Sequence, residues 1–298
     1  MRILVSGATG FVGRHVINQI QGAGNDIVSI ALENVSGESN YKSINWIRAN
    51  LAYLEPVKPI IKSFNPEVVI HLAWQGIPDY SEGISKVNLD NSVQLLGFVL
   101  DETDCRKIIV SGSCLEYGKN EGLCRESDPI QLTSLFSWAK YSLYQYLLLK
   151  CGERKVDLIW FRLFYVYGPG QRRGSLIPTL VQTLKDKRSP LIRSPLNRND
   201  FIYMEDVAEA FRWAVELRIE SGIYNLGSGQ SRSVYDACQI VERKILGTNE
   251  ISERMKHGAT PEQEVNFWAD MRKTKHALNW APKTSLEQGI DLYINSLD

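Results

Sequence analysis

The sequence predicts an α/β protein in which a doubly wound parallel sheet is followed by a smaller C-terminal α/β lobe. Short β-branched runs such as ILVS, EVVIHLA and KIIVSGS alternate with longer segments of helical periodicity. Because these runs are apolar throughout, they are typical of parallel strands covered by helices on both faces. The rhythm changes at a loop rich in Arg, Gly, Pro and Asn. We therefore expect domains at 1–167 and 168–298, the second with short returns to the first.

The predicted elements follow one another in βαβ order. The strand ILVS leads into the helix FVGRHVINQI, and the segments DIVSIA and INWIRA precede a helix at PVKPIIKSF. The strand EVVIHLA, the helix VNLDNSVQLLGFVL and the strand KIIVSGS continue the series. Beyond VDLIWFRLFYVYGPG, the helix SLIPTLVQTLKDK lies inside the loop 168–200. The segments FIYMEDVAEAFRWAVELR and GIYNLGSG and two further helices then form the smaller lobe, which we expect to close over the first.

Composition excludes several classes of protein. Lys plus Arg and Asp plus Glu each number 34 in the 298 residues, so no overall charge attracts nucleic acid or an anionic membrane. Five cysteines without a C-x-x-C pair indicate reduced thiols, and no metal site is predicted. No signal peptide or membrane span is predicted either. We expect a soluble cytoplasmic protein that acts through a local site.

Three glycines separate the first predicted strand from the first helix. Gly7, Gly10 and Gly13 in SGATGFVGRHV permit a tight turn and let backbone amides approach a pyrophosphate at the helix N-terminus. The sequence therefore predicts a Rossmann-like dinucleotide site. Further cofactor contacts are expected in this turn, at the ends of later strands and on one later helix, at Thr9, Phe11, Val12, Arg14, Ala31, Asn50, Leu51, Leu72, Ala73, Trp74, Ser111 and Lys140.

The end of the second strand bears on the choice of cofactor. An acid commonly stands there and binds the ribose 2′-hydroxyl of NAD. Ala31 occupies that point here, and Arg14 could neutralise a 2′-phosphate, so NADP is favoured. NAD stays open because Glu33 could reach the hydroxyl and Arg14 could be a solvated cation. Asn50 stands where an acid that contacts adenine is expected, and it can still hydrogen-bond an amino group.

Six segments carry a resemblance to a known family. The motifs IIVSGSCLEYG, the lysine of SLFSWAK, RLFYVYGPGQ, NDFIYMEDVAEA, GIYNLGSG and FWADMRKTKHALNWAP occur in the order found in extended short-chain dehydrogenases/reductases. This NAD-dependent epimerase/dehydratase type contains nucleotide-sugar epimerases, dehydratases and reductases. The resemblance spans essentially the whole chain. It implies a nucleotide-sugar substrate and a homodimer formed through two helices, at 88–103 and 136–151.

In that family a serine or threonine, a tyrosine and a lysine act together. The resemblance implies that Ser113 orients the substrate oxygen and that Lys140 binds the nicotinamide ribose and lowers the pKa of the tyrosine. The tyrosine position, however, is Phe136. A phenyl ring can neither donate nor accept a proton, so a general acid/base step is missing.

A second register also fits the spacing Y-x-x-x-K. Tyr146 and Lys150 stand four residues apart, as Phe136 and Lys140 do. Lys150 precedes Arg162 by only twelve residues, which leaves too little chain to finish a helix, turn and cross the next strand. The register that places Lys140 in the site is therefore favoured.

Three explanations of Phe136 are open from the sequence. The phenylalanine could be an introduced replacement of tyrosine, another group could donate the proton, or the protein could bind NAD(P) without catalysis. Candidate donors are Tyr165, at the position of a family asparagine, Cys114, and a water held by Ser113. For each of the three, a structural role is favoured over that of an acid.

The residues that follow Ser113 bear on the type of reaction. Family dehydratases place an acid pair there, whereas Cys114 and Leu115 follow here, and Glu116 is as well explained as a polar loop residue. Dehydration is therefore not expected. Since Ala31 favours NADPH, which reductases exchange, the resemblance implies reduction of a keto group, at C4, on a nucleotide-linked 6-deoxyhexose in deoxysugar or polysaccharide precursor biosynthesis. The alternatives are a nucleotide-sugar 4-epimerase and a catalytically silent NAD(P)-binding protein.

The expected contacts to the sugar nucleotide are arginines and residues near the catalytic serine. The family arginine aligns with Asn199, and Arg198 stands one residue earlier. A guanidinium suits phosphate oxygens, although a solvated loop explains such arginines equally well. The full predicted substrate set is Ser113, Cys114, Tyr165, Arg172, Arg173 and Arg198. Two further residues have plainer predicted roles: His71 as a buried strand histidine and Asn88, at a helix start, as a cap or a contact.

Overall fold

The computed structural model describes residues 1–22, 24–32, 44–118, 121–257 and 265–297, without the side chains of 255–257. Glu33, the alternative ribose contact, lies outside these residues. Within them no helix is both long and apolar enough to cross a lipid bilayer.

The strands of the described residues are short, as the apolar runs predict. In chain order they are β1 Arg2–Ser6, β2 Asp26–Ala31, β3 Ile44–Arg48, β4 Val68–His71, β5 Lys107–Ser113, β6 Glu121–Cys124, β7 Asp157–Leu163, β8 Tyr165–Tyr167, β9 Arg198–Tyr203, β10 Gly222–Leu226, β11 Ser231–Ser233 and β12 Asn266–Ala269.

The helices alternate with these strands. In chain order they are α1 Phe11–Ile20, α2 Lys58–Phe64, α3 Glu82–Glu102, α4 Leu135–Arg154, α5 Leu176–Lys185, α6 Met204–Glu216, α7 Val234–Leu246, α8 Glu250–His257, α9 Arg272–Leu278 and α10 Leu286–Asn295. A short 3-10 helix, Cys114–Tyr117, follows β5 directly.

Contacts divide the chain into two compact units. Unit 1 consists of Met1–Gly118, Pro129–Arg162 and Ala208–Tyr224. Its seven-stranded sheet has the order β10–β7–β5–β4–β1–β2–β3, and the pairs from β5 through β4, β1 and β2 to β3 are parallel. From β1 the chain adds β2 and β3 on one side of the sheet and then β4 and β5 on the other side. The connections that follow β1 and β4 therefore leave in opposite directions, and a crevice opens between them at the carboxyl ends of these two strands. The predicted doubly wound parallel sheet is confirmed.

The core of unit 1 explains why its strands are apolar throughout. Leu4 of β1, Val69 of β4 and Ile108 of β5 are completely buried. They belong to one cluster with Leu96 of α3 and Leu143 of α4, two helices that pack against each other. Burial of each such side chain on folding stabilises the protein by roughly 1.5–3 kcal/mol. This packing fixes the carboxyl ends of β1, β4 and β5.

Unit 2 consists of Lys119–Asp128, Leu163–Val207 and Asn225–Asp298. Its sheet has the order β11–β9–β12–β6, with β8 paired to β9, and its apolar core includes Leu180 of α5 and Ile290 of α10. The buried Asp200 accepts backbone N–H groups of Ser228 and Ala269 and ties these segments to β9. Each unit is built from three chain segments. The simpler division at 167 stays a prediction.

Candidate active site

The glycine turn between β1 and α1 leaves no room for side chains. Gly7 has φ +78°, and a Cβ atom on it would lie 2.5 Å from the backbone N of Ala73. A Cβ on Gly13 would lie 2.1 Å from the carbonyl O of Gly7. The N-cap residue of α1, Gly10, provides no side-chain cap for the first N–H groups of the helix. These features fit the pyrophosphate of a dinucleotide, which helix N–H groups bind.

Replacing Gly13 by Ala should disrupt this turn. We expect unfolding to require about 1–3 kcal/mol less free energy, because the methyl group meets backbone rather than a movable side chain. Binding of NADPH should also weaken. Urea denaturation and titration calorimetry measure the two effects. Gly152→Ala in α4, where a Cβ meets nothing within 4 Å, is the matched control and should be neutral or stabilising. Equal results for both variants would contradict a tight turn.

The other predicted cofactor residues between β1 and α2 differ in their surroundings. Arg14 is exposed, and its Nη2 donates to the carbonyl O of Thr9 at 3.1 Å. Ala31 is buried at the end of β2, so no carboxylate stands at that position. The Oδ1 of Asn50 accepts the N–H of Ala52 and is thereby used in a local turn. The remaining members of the group are the partly buried Phe11 and Val12 and the core residue Leu51.

His71, at the end of β4, is held between two hydroxyl groups. Its Nδ1 lies 2.7 Å from Ser6 Oγ, and its Nε2 lies 2.8 Å from Ser92 Oγ. Ser92 donates its own proton to the carbonyl O of Asn88, so Nε2 carries the ring proton and Nδ1 accepts from Ser6. Burial lowers the pKa of His71 to about 3, with a smaller effect from Lys140. The histidine is neutral and structural, as predicted for a strand residue.

Lys140 is buried in unit 1 at the carboxyl end of β5. Its Nζ donates to the carbonyl O of Ser111 at 2.8 Å and lies 4.0 Å from the centroid of the Trp74 ring. Only 4 % of the residue is exposed. Burial lowers the pKa of the ammonium group to about 7, and the charge of Glu116 offsets part of that effect. The lysine therefore can hold or release a proton near neutrality.

The alternative lysine lies in a different environment. Lys150 Nζ pairs with the carboxylate of Asp101 at 2.9 Å, and a quarter of its side chain is exposed. An exposed ion pair of this kind is an ordinary surface contact. The structure thus brings Lys140, and not Lys150, to the end of β5.

Ser113 is the last residue of β5 and the N-cap of the 3-10 helix. Its Oγ accepts the N–H of Leu115 at 3.2 Å, which leaves the hydroxyl proton for donation to a ligand. Its backbone N–H donates to Glu116 Oε1 at 2.8 Å. The neighbouring Cys114 is buried. The capping arrangement fixes the direction of the serine side chain.

Glu116 is a buried ionic residue, so its interpretation as a polar loop residue is wrong. Glu116 and Arg162 both have completely buried side chains, and Arg162 Nε lies 2.9 Å from Glu116 Oε2. Trp160 Nε1 donates to the same carboxylate at 3.1 Å. Burial raises the pKa of Glu116, while Arg162, Ser113 and Trp160 offset part of the rise. This pair anchors the turn that carries Ser113.

Phe136 occupies an aromatic cluster in unit 1. Only 5 % of the residue is exposed, and its ring meets the Trp74 ring edge to face at a centroid distance of 5.4 Å. The Tyr80 ring lies 4.8 Å away. Trp74 Nε1 is buried and has no hydrogen-bond partner among the described residues. Such an orphaned donor suits a ligand that offers an acceptor. Sequence reasoning placed Trp74 near the cofactor but missed Tyr80.

Asn88 is not a helix cap, and its side chain is bonded to backbone groups. The helix α3 begins at Glu82, and Asn88 lies in its second turn. Its Oδ1 accepts the N–H of Gln75 at 2.7 Å, and its Nδ2 donates to the carbonyl O of Gln75 at 3.0 Å. Two bonds to one backbone unit fix the start of the segment 75–81. That segment carries Tyr80.

The predicted substrate residues of unit 2 differ in whether their side chains already have partners within the protein. Arg198 donates from Nη2 to the carbonyl O of Ser231 at 2.8 Å and therefore already has a partner. Arg172 and Arg173 are exposed between β8 and α5. The Tyr165 ring packs against Phe201 and Phe267, both at 6.1 Å, and the residue is 37 % exposed. Asn199, at the position of the family arginine, is buried in β9.

The described part of the chain shows no cluster of three or more His, Cys, Asp or Glu side chains that could hold a metal ion. The buried cysteines Cys105, Cys114, Cys124, Cys151 and Cys238 are thiols rather than halves of disulfides. Burial raises the pKa of Cys105 to about 12, so its thiol stays protonated.

Comparisons with known proteins agree with this geometry. The dTDP-4-dehydro-6-deoxyglucose reductase of Escherichia coli is 26% identical over an alignment of 315 positions, gaps included, which covers 99% of this chain and 97% of that protein. The UDP-glucose 4-epimerase of Thermotoga maritima, solved with UDP-glucose, has a TM-score of 0.82 and 22% identity, and the match covers 100% of this chain and 98% of that one.

A third comparison concerns a structure that contains a cofactor. The UDP-glucuronic acid 4-epimerase of Bacillus cereus, in complex with UDP-glucuronic acid and NAD, has a TM-score of 0.81 and 21% identity over 100% of both chains. The family described as "NAD dependent epimerase/dehydratase family" matches residues 3–227. The glycine turn, the doubly wound sheet and the family match agree, and the chain belongs to the NAD-dependent epimerase/dehydratase family.

Proposed function

We propose that the protein reduces a keto group, at C4, on a nucleotide-linked 6-deoxyhexose with NADPH. The observation that carries this proposal is the buried Lys140 ammonium at the end of β5, bonded to the carbonyl O of Ser111. Ser113, two residues farther along, keeps a hydroxyl proton for a substrate oxygen. The similarity to the Escherichia coli reductase supports the same reaction class.

The glycine turn is proposed to hold the dinucleotide, with the pyrophosphate at the uncapped N-terminus of α1. When bound, the reduced nicotinamide supplies a hydride to the carbonyl carbon. NADP is proposed over NAD, because Ala31 removes the usual carboxylate and the exposed Arg14 stands beside Thr9 on the turn. NAD is the cofactor in the Bacillus cereus relative.

The remaining groups bind and orient. Ser113 is proposed to donate to the keto oxygen, and Lys140 to hold ribose hydroxyls and to keep a positive charge beside the developing alkoxide. Arg172 and Arg173 are proposed to contact the diphosphate, for which their exposed guanidinium groups are suited. Arg198 is a weaker candidate because Ser231 already engages it. A homodimer through α3 and α4 is part of the proposal.

Single-turnover oxidation of NADPH, followed by absorbance, tests the reaction. The protein and its Phe136→Tyr variant are mixed with a panel of nucleotide-linked 4-keto-6-deoxy sugars. We expect NADPH oxidation by both proteins with at least one sugar, and tighter binding of NADPH than of NADH by calorimetry. Interconversion of C4 epimers without net NADPH oxidation would instead assign a 4-epimerase. Bound NADPH without any turnover by either protein would contradict both enzymatic assignments.

A further inference from the structure

The aromatic contact at Phe136 brings a tyrosine ring next to a residue that has no hydroxyl group. Tyr80 and Phe136 have ring centroids 4.8 Å apart, with a 47° angle between the ring planes. Tyr80 is 41% exposed, whereas Phe136 is buried. Both rings lie in unit 1. Tyr80 therefore stands on the solvent side of the residue where a catalytic phenol is missing.

We propose that Tyr80 donates the proton that the residue at position 136 cannot provide. This inference rests on the proposed reduction. As hydride adds to the carbonyl carbon, the C=O π pair moves onto the oxygen. The Tyr80 O–H bond breaks, its proton goes to that oxygen, and the phenolate that remains takes a proton from water. Tyr80 is exposed enough for this exchange with solvent.

The backbone around Tyr80 is fixed by hydrogen bonds, which a proton donor requires. The amide of Asn88 holds Gln75 through two bonds, of 2.7 and 3.0 Å. The N–H of Asp79 donates to the carbonyl O of Gly76 at 2.6 Å. Asp79 Oδ1 in turn accepts the N–H of Ser81 at 2.8 Å. These bonds flank Tyr80 on both sides along the chain.

The segment 75–81 also leaves the sheet at a favourable point. It follows β4, whose carboxyl end lies beside the glycine turn, since Gly7 approaches the backbone of Ala73. In open α/β sheets, ligands bind at the carboxyl ends of the strands on either side of such a switch point. Trp74, which precedes the segment, contacts both Phe136 and Lys140. Trp74 thus connects the Tyr80 ring, through Phe136, with the lysine of the proposed site.

The other candidate donors within unit 1 are less suited. Lys140 Nζ donates one proton to the carbonyl O of Ser111 and is proposed to hold the ribose hydroxyls with the other two, so its role is to bind the cofactor and to keep its charge. Cys114 is buried, and a thiol forms only a weak hydrogen bond to a substrate oxygen. Ser113 is better suited to orienting an oxygen than to losing its proton, because an alcohol is a far weaker acid than a phenol.

The test compares Tyr80→Phe, Phe136→Tyr and the double variant in NADPH-dependent turnover. Tyr80→Phe keeps the ring and its contact with Phe136 and removes only the hydroxyl. We expect kcat to fall by about 10²–10⁴-fold with little change in KM. Adding Phe136→Tyr to Tyr80→Phe should restore most of the lost kcat. Tyr53→Phe, at a site 75% exposed, is the matched control and should match the unaltered protein.

A second readout does not depend on turnover. Tetranitromethane nitrates exposed tyrosines, and peptide mass spectrometry reports each site. With oxidised cofactor present, a 4-keto nucleotide sugar cannot react, yet it should suppress nitration at Tyr80. Nitration at the more exposed Tyr53 should continue and serves as the internal control.

The outcomes separate the inference from the proposed function. Turnover that survives Tyr80→Phe unchanged, or Tyr80 nitration that the sugar does not affect, would overturn the role of Tyr80 alone. Turnover by Phe136→Tyr but not by the unaltered protein would also overturn the role of Tyr80. Proton donation by a tyrosine at position 136, as in the family, would then be supported. Inactivity of both of these proteins would reject the proposed reduction and the role of Tyr80 with it.

Discussion

Replacing Glu116 by Gln should lower the free energy of unfolding by about 3–5 kcal/mol, because it leaves the Arg162 cation buried without a counter-charge. Both side chains are completely buried, with Arg162 Nε 2.9 Å from the carboxylate. Glutamine keeps the shape of the side chain but brings an NH₂ group towards groups that are all donors. Urea denaturation of the unliganded protein measures the effect.

A matched control uses an exposed ion pair of the same chain. Asp291 pairs with Lys244 at 2.7 Å, and about two fifths of each side chain is exposed. Asp291→Asn should cost no more than about 1 kcal/mol, because solvent screens both charges. If the two variants lost equal stability, burial of the Glu116–Arg162 pair would not be the source of the effect.

The same variant should also affect the site through Ser113. The backbone N–H of Ser113 donates to Glu116 Oε1, and the 3-10 helix that begins there depends on this bond. We therefore expect any turnover to fall along with stability.

The parts of the fold that local pattern determines could be predicted. The runs ILVS and EVVIHLA became β1 and β4, because apolar residues in unbroken series need burial on both faces. The segment EGLC, which forms β6, carries no such pattern. It is a strand only because it pairs with β12, about 145 residues away along the chain, through contacts such as Cys124 with Ala269. Pairing of that kind is set by the tertiary fold and leaves no local signal.

The candidate site shows the same division. Gly7 and Gly13 could be recognised because the need for glycine arises within the backbone of one turn and its neighbouring strand end. Lys140 could be chosen over Lys150 because only Lys140 leaves enough chain before Arg162 to finish a helix, turn and cross the next strand. Tyr80 and Glu116 were missed or misread, since their surroundings come from strands and helices distant in sequence. The available signal for Tyr80 was its place shortly after β4, where ligands of such sheets bind.

Replacing Lys140 by Met should raise the stability of the unliganded protein while it abolishes most turnover. The ammonium group is buried, and among the described residues its hydrogen-bond acceptor is a single carbonyl oxygen, so methionine removes a desolvated charge from the core. At neutral pH we expect a gain on the order of a few kcal/mol, reduced by the lost bond to Ser111. Turnover should fall by about 10²-fold or more, because the charge that we propose lies beside the reacting oxygen is lost.

The pH dependence distinguishes this cause from better packing. Burial lowers the pKa of Lys140 to about 7 from an ordinary value of 10.5, so between these values the unfolded chain binds more protons than the folded one. The free energy of unfolding of the unaltered protein should therefore rise as pH rises from about 7 to 10.5. Below about pH 7 the full cost of burying the charged ammonium group is present. The advantage of Lys140→Met should then shrink steadily as pH rises from about 7 to about 10. Lys244→Met, at the exposed pair with Asp291, should show neither the gain in stability nor the loss of turnover. A stability gain that stays constant with pH would mean that the methionine acts through better packing. The buried charge of Lys140 would then not be what destabilises the unaltered protein.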